Sequence, residues 1–278
     1  MASLSKHALA LVLGLSWIHA AAVARAAESA ERPLWTLWAL HQKEATNGDH
    51  QAVVAACDAF DREHAGSPLC PVSRGLAAWH LLRAGATGEA VRVFDGLDRP
   101  AGTNALGLAG QAMALRWLTR LDREQVRVAL RAFYNQNIRY PDSLAELQSL
   151  KAKAAGVPLA DRWKKPWRYS LVKLKHLQKL RNQQYELEST MLAQDSDLTR
   201  AVAAPYAARI GLHPAQMSKG GDGRPAIMFE TTGKTAKQVM LVEGTDYEGI
   251  SLVYIGETMI VLSDGDCWQV LAKPILGE

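Results

Sequence analysis

Arg139-Tyr140-Pro141-Asp142-Ser143-Leu144-Ala145-Glu146-Leu147 decides how the chain must be divided. A residue before proline avoids the helical region, so Tyr140 ends the helix that precedes it. Asp142 or Ser143 then caps a short new helix carrying Leu144 and Leu147. Upstream, Ala105–Leu118 and Arg123–Asn135 read as helices. Downstream, the tract Pro158–Ser170 and the run Gln184–Ser189 alternate and carry aromatics. They read as two strands with a turn-rich approach.

Further upstream, residues 33–118 are rich in Ala and Leu. Apolar residues recur at helical spacing through Val53, Val54, Cys57 and Phe60, then through Leu76, Ala77, His80 and Leu81. Ala56-x-x-x-Phe60-Asp61 returns 34 residues later as Ala90-x-x-x-Phe94-Asp95, with Pro68 and Gly85 at the expected turns. This segment resembles a short tetratricopeptide array. The resemblance implies stacked helix pairs with a concave surface for partner peptides. An irregular helical bundle is the alternative.

Beyond residue 225, Ala226–Phe229, Val239–Val242, Ile250–Ile255, Met259–Leu262 and Trp268–Leu271 are strand-like and separated by turn residues, among them Asp264-Gly265. They predict a small antiparallel sheet or partly closed barrel. Residues 226–272 weakly resemble the periplasmic homology-region domain of secretion and pilus-alignment proteins.

The middle segment, about 123–189, resembles the globular part of the major pseudopilins of type II secretion. The likeness rests on Tyr140-Pro141, Leu144, Leu147, Asp161, Trp163, Pro166, Trp167, Tyr169, Tyr185, Leu187 and Ser189. The family's apolar filament helix is absent, so the resemblance implies a pseudopilin-type head on another scaffold. The family's calcium loop would fall near Asp195 and Asp197, too few carboxylates for the oxygen shell calcium takes.

The N-terminus has the grammar of a secretory signal. Lys6 and His7 precede the apolar run Ala8–Leu15, extended by Trp17-Ile18, and Ala24-Arg25-Ala26 offers a cleavage site. The uncut alternative, a membrane anchor, is interrupted by His19 and Arg25. No later segment approaches the length of a membrane span. The expected class is therefore α+β and multi-domain. Residues 1–26 form the signal, 33–118 the helical repeats, 119–192 the pseudopilin-like α+β domain, 193–224 a linker with a short helix around Leu198–Ile210, and 225–276 the C-terminal antiparallel β domain.

Composition narrows the chemistry. The chain carries 32 basic and 28 acidic residues, and loss of Lys6 and Arg25 with the signal leaves a net charge of +2. That balance argues against nucleic acid and anionic membranes as partners. Cys57, Cys70 and Cys267 can pair in an oxidising compartment, with Cys57–Cys70 the candidate disulfide; burial as small apolar side chains is the alternative. No zinc or thioredoxin-like motif exists, and no cofactor is implied. Gly233-Lys234-Thr235 lacks the first glycine of a phosphate loop, Met228 standing there. His64, His80, His176 and His213 are scattered without a nucleophile motif. The basic tract Lys173–Arg181 reads as a solvated face.

Trp163, Lys164, Lys165 and Trp167 form the candidate partner surface, with core packing of the rings as the alternative. The expectation is an exported, non-enzymatic scaffold or adaptor of a secretion or pilus-like envelope assembly, periplasmic or secreted. Two rivals stand beside it: an exported hydrolase using His213, Asp222 and Asp161, and a cell-wall or carbohydrate binder stacking sugars on Trp163, Trp167 and Trp268.

Overall fold

The computed structural model describes residues 30–99, 103–149, 156–172, 184–192, 197–232 and 236–274. Residues 1–26, read as a signal, the Lys173–Arg181 tract, Asp195 and Gly233–Thr235 lie outside the described residues. The chain divides into two compact units, one comprising Met1–Gln111 with Tyr206–Glu278, the other Ala112–Pro205. The helical and C-terminal β segments, read as separate modules in the sequence, therefore share a unit. Both helices and antiparallel sheets are present, as expected of an α+β chain.

In the first unit, α1 is described over 30–47, followed by α2 (His50–Glu63), α3 (Cys70–Arg83) and α4 (Thr87–Leu97). A helix apolar on all sides must lie in the middle of its unit. α3 is that helix: only Arg74 and Arg83 escape burial. Phe60 and Phe94, the repeated aromatics, both point into the core. Gly85 makes the α3–α4 turn at φ 77°, where a side chain would be strained.

The strands of this unit form two antiparallel sheets. One has the order β3 (Leu212–Lys219), β4 (Pro225–Thr231), β5 (Gln238–Val242); the other runs β6 (Asp246–Tyr247), β7 (Ile250–Ile255), β8 (Met259–Ser263), β9 (Trp268–Ala272). Their inward residues meet in one core of Ile210, Leu212, Ile227, Phe229, Leu241, Leu252, Ile260 and Leu262. All five expected strands are there.

The expected linker is corrected in part, because β3 occupies its second half. Proline has no N–H for a ladder, but β3 is the outer strand of its sheet and its register shifts between Pro214 and Gln216. The Gly-rich run behind it is the β3–β4 turn, with Gly220 N donating to the Arg224 carbonyl at 2.8 Å. The short helix there, α6 (Leu198–Ala203), belongs to the second unit and stops just ahead of Pro205.

α5 (Ala105–Asn137) is one helix where two were expected, its first residues in the first unit and the rest in the second. The intervening Thr119–Asp122 contains no helix breaker, and its polar groups find partners instead of solvent. Thr119 Oγ1 accepts from Arg162 N at 3.3 Å, Asp122 binds the Arg162 guanidinium at 2.5 and 3.0 Å, and Arg120 lies over the Trp117 ring.

Past Tyr140-Pro141, a 3-10 turn over Leu144–Ser149 replaces the expected short helix. β1 (Arg168–Leu171) then pairs antiparallel with β2 (Tyr185–Glu188), Tyr169 opposite Leu187. Val126, Ala129, Leu130 and Phe133 of α5 pack with Leu147, Trp167 and Leu187.

α5 closes on a strained residue. Ile138 has φ 55°, and its N–H donates to the Tyr134 carbonyl at 2.7 Å. A β-branched side chain in the left-handed region is disfavoured, whereas glycine is the residue this capping geometry prefers. Ile138 is 74% exposed, so its side chain contributes little packing to offset the strain. Ile138→Gly is expected to raise stability by about 1 kcal/mol in urea unfolding. A fall of that size would mean the isoleucine contacts matter more than its backbone.

Candidate functional site

In the second unit, Asp161 organises the loop that leads into β1. Its Oδ1 accepts from Trp163 N at 3.0 Å and Lys165 N at 2.9 Å, and its Oδ2 accepts from Ser189 Oγ at 2.8 Å. Its own N–H donates to the Lys165 carbonyl at 2.8 Å, closing a tight ring through Lys164 at φ 63°. The carboxylate is 2% exposed and both oxygens are engaged, so its visible work is positional. Arg162 turns away to Asp122, not to Asp161.

Of the candidate partner residues, Lys164 and Lys165 are exposed, Trp163 is half-buried and Trp167 is buried. Trp167 Nε1 donates to the Pro158 carbonyl at 2.9 Å and its ring joins the core beside Leu147. Three of the four therefore remain at the surface.

A second feature of this unit is a groove of about 440 Å³ between α5 and β2. Arg123, Arg127 and Tyr140 form one wall and Gln184–Glu188 the other, with Val172 at the end of β1 also lining it. Arg123 Nε donates to the Leu187 carbonyl at 2.9 Å, while its Nη1 is buried without a hydrogen-bond partner. Burial and the neighbouring Arg127 lower the Arg123 pKa, so this cation is held where charge is costly. Tyr140 and Tyr185 stack edge to face, ring centroids 4.6 Å apart, beside it.

The first unit carries a smaller groove of about 210 Å³ along α2, α3 and α4, lined by Asp58, Asp61, Arg74 and Arg92 among others. Arg74 Nε donates to Asp61 Oδ2 at 2.6 Å. Cys57, in the same groove, is a free thiol pushed up to about 12 by burial. Cys70 is likewise free, and its Sγ–H is aimed at the His64 carbonyl at 3.4 Å. Cys267 is free and buried, which raises its pKa as well.

The same unit holds a chain of imidazoles that the sequence did not announce. His41 Nδ1 lies 2.9 Å from His80 Nε2, and His80 Nδ1 lies 2.9 Å from His50 Nδ1. A neutral imidazole has one N–H, so His80 must donate to one neighbour and accept from the other. The chain has a direction, and reversing it requires every member to change tautomer. Trp38, Trp79 and Tyr206 wall in His41, with ring centroids 4.4 to 5.8 Å away. Burial lowers His41 to about 4. Burial, with the two neighbouring imidazoles and Arg83, lowers His80 to about 3. The available signal was local: a histidine flanked by Trp79 and Leu81 inside an apolar helix needs a polar partner.

Residues named for the rival functions are placed as follows. His213 and Asp222 are exposed in the first unit, Asp222 paired with Arg224, whereas Asp161 is buried in the second. Trp268 is buried, as is Trp167, leaving only Trp163 with a partly open ring. Asp264 Oδ1 accepts from Asp266 N and Cys267 N within the β8–β9 turn. Asp197 caps α6 through Arg200 N. Among the described residues no cluster of His, Cys, Asp or Glu is arranged to hold a metal ion. None of the described helices is long and apolar enough to cross a membrane. No protein-family model, curated protein or solved structure matches the chain.

Proposed function

We propose that the protein is an exported, non-enzymatic scaffold or adaptor of a type II secretion or type IV pilus-like envelope assembly, working through protein–protein contacts in the periplasm or outside the cell. One observation carries the reading. Tyr140, Leu144, Leu147, Trp167, Tyr169, Tyr185 and Leu187, which gave the middle segment its pseudopilin likeness, all meet in one core against α5. Residues that recur as a motif and converge as a core act as a packing code, which is what a shared head architecture requires. The helical groove of the first unit adds a second surface of the kind that receives peptides.

The test is cross-linking of a tagged copy in the producing cells, with the captured proteins identified by mass spectrometry. A pilin-, secretin- or other envelope-assembly component is expected among them, and the N-terminal peptide of the mature chain is expected to begin at Ala27. Recovery of no such component would overturn the assembly role, and an intact Met1 would overturn export by cleavage.

A further inference from the structure

The groove between α5 and β2 is built along a strand edge. Five consecutive β2-side residues, Gln184 to Glu188, line it, and successive residues of a strand face opposite sides. Among the described residues β2 has one neighbour, β1. Val172 N donates to the Gln184 carbonyl at 3.0 Å, and the register sets Ser170 opposite Glu186 and Arg168 opposite Glu188. Backbone groups alternate in direction along an antiparallel strand. Those of Gln184, Glu186 and Glu188 therefore turn to β1, and those of Tyr185 and Leu187 turn to the groove. The Arg123–Leu187 bond agrees with this direction: the Leu187 carbonyl leaves the sheet to reach α5, so an added strand would pair through Tyr185 and the Leu187 N–H.

Charge is distributed by face. Arg123 and Arg127 stand on the α5 wall, on the side of the inward Tyr185 and Leu187. Glu186 and Glu188 stand on the outer face, where Ser170 and Arg168 of β1 meet them. Arg127 shares Glu124 and Asp197, at 3.1 and 3.8 Å, but Arg123 Nη1 has no hydrogen-bond acceptor.

We propose that this groove receives an extended segment of a partner protein as a third strand beside β2, with carboxylate side chains at alternate positions facing Arg123 and Arg127. Intervening positions then lie beside Glu186 and Glu188, where basic side chains fit. Strand addition supplies affinity through the backbone and leaves specificity to alternate side chains. Opposite charges across strands add to it, and tyrosine and arginine are the residues interfaces favour. The inference deepens the adaptor reading and rests on it in taking the partner to be a protein.

The test pans a phage-displayed library of random dodecapeptides against the purified full chain. Selected sequences are expected to carry Asp or Glu at every second position. Affinity of a synthetic winner is expected to fall about tenfold in Arg127→Gln and further as salt rises. Arg127→Gln leaves the Arg123–Leu187 bond in place, so it tests charge with β2 still anchored. A photo-reactive residue at Gln184 is expected to label the bound peptide. Absence of binders, binders without alternating carboxylates, or binders indifferent to Arg127→Gln would each overturn the proposal. Those failures leave cross-linking to envelope components untouched, whereas a bound acidic strand with no envelope partner in cells would sink the assembly role alone.

Discussion

Between pH 7 and pH 5 the protein is expected to lose about 4 kcal/mol of stability through two histidines alone. His41 and His80 are lowered from an ordinary 6.5 to about 4 and about 3. A folded state that lowers a histidine pKa favours the neutral ring, so the unfolded chain binds more protons throughout the interval. The stabilisation is complete above about 6.5 and disappears as pH falls toward the folded values. At pH 5 each ring contributes a loss of about 2 kcal/mol, since the unfolded form is already protonated and the folded form is not. His50, lowered by burial and Arg83 against the pull of Asp49, acts in the same direction.

Geometry explains why protonation is unfavourable. His80 is wholly buried on α3, and Arg83, one turn on, already places a positive charge nearby. A protonated His80 could donate to both neighbours through its two N–H groups, but no carboxylate is among the groups that act on it, and the added charge would sit among aromatic rings. Urea titrations at intervals from pH 7 to pH 5 measure the slope. His80→Leu is expected to lower stability at pH 7, because two imidazoles lose their partner, and to reduce the slope by about half. A flat profile in the unaltered protein, or His41 and His80 resonances titrating near 6.5, would refute the account.

How much of this could be read in advance depends on the range of the interactions. The strands after residue 225 were legible because short apolar runs such as Ala226–Phe229 and Val239–Val242 are separated by turn residues, and that punctuation is a local property. β3 was not, since Pro214 and its polar neighbours disguise an outer strand that needs only one good face. Tyr140-Pro141 marked the end of α5 correctly, but its continuity through Arg120 and Asp122 was hidden. No local pattern shows that these charges are buried, and the partner of Asp122 is Arg162, 40 residues away. The imidazole chain joins residues 39 and 30 apart and leaves no spacing to notice. Asp161 and Ser189 both belong to the set of residues that carries the pseudopilin likeness. That the two share a hydrogen bond is a fact about the folded loop, not the string.

Glu31→Ala is expected to cost about 3 kcal/mol, a large effect for one residue of an N-terminal helix. Glu31 is 3% exposed and accepts four hydrogen bonds across more than two hundred residues of chain. Oε1 takes Tyr254 Oη at 2.9 Å and Glu257 N at 2.8 Å; Oε2 takes Thr258 N at 2.8 Å and Thr258 Oγ1 at 2.7 Å. The β7–β8 turn thus closes around a carboxylate delivered by α1, and burial with that neighbouring charge drives the Tyr254 hydroxyl pKa upward. Alanine leaves two backbone N–H groups and two hydroxyls to find water in a space the carboxylate filled. Glu31→Gln keeps the shape but turns an amide N–H toward a donor, and is expected to lose about half as much. Gly256→Ala approaches the same bonds from the other side, because a Cβ there would collide with Oε1 and fall 2.7 Å from the Tyr254 ring. All three variants should lower the unfolding midpoint and speed amide exchange in both α1 and the β7–β8 turn. Loss confined to the turn, with α1 still protected, would show that the helix is held by its apolar face through Leu34, Leu37 and Trp38 and that the carboxylate serves only the hairpin.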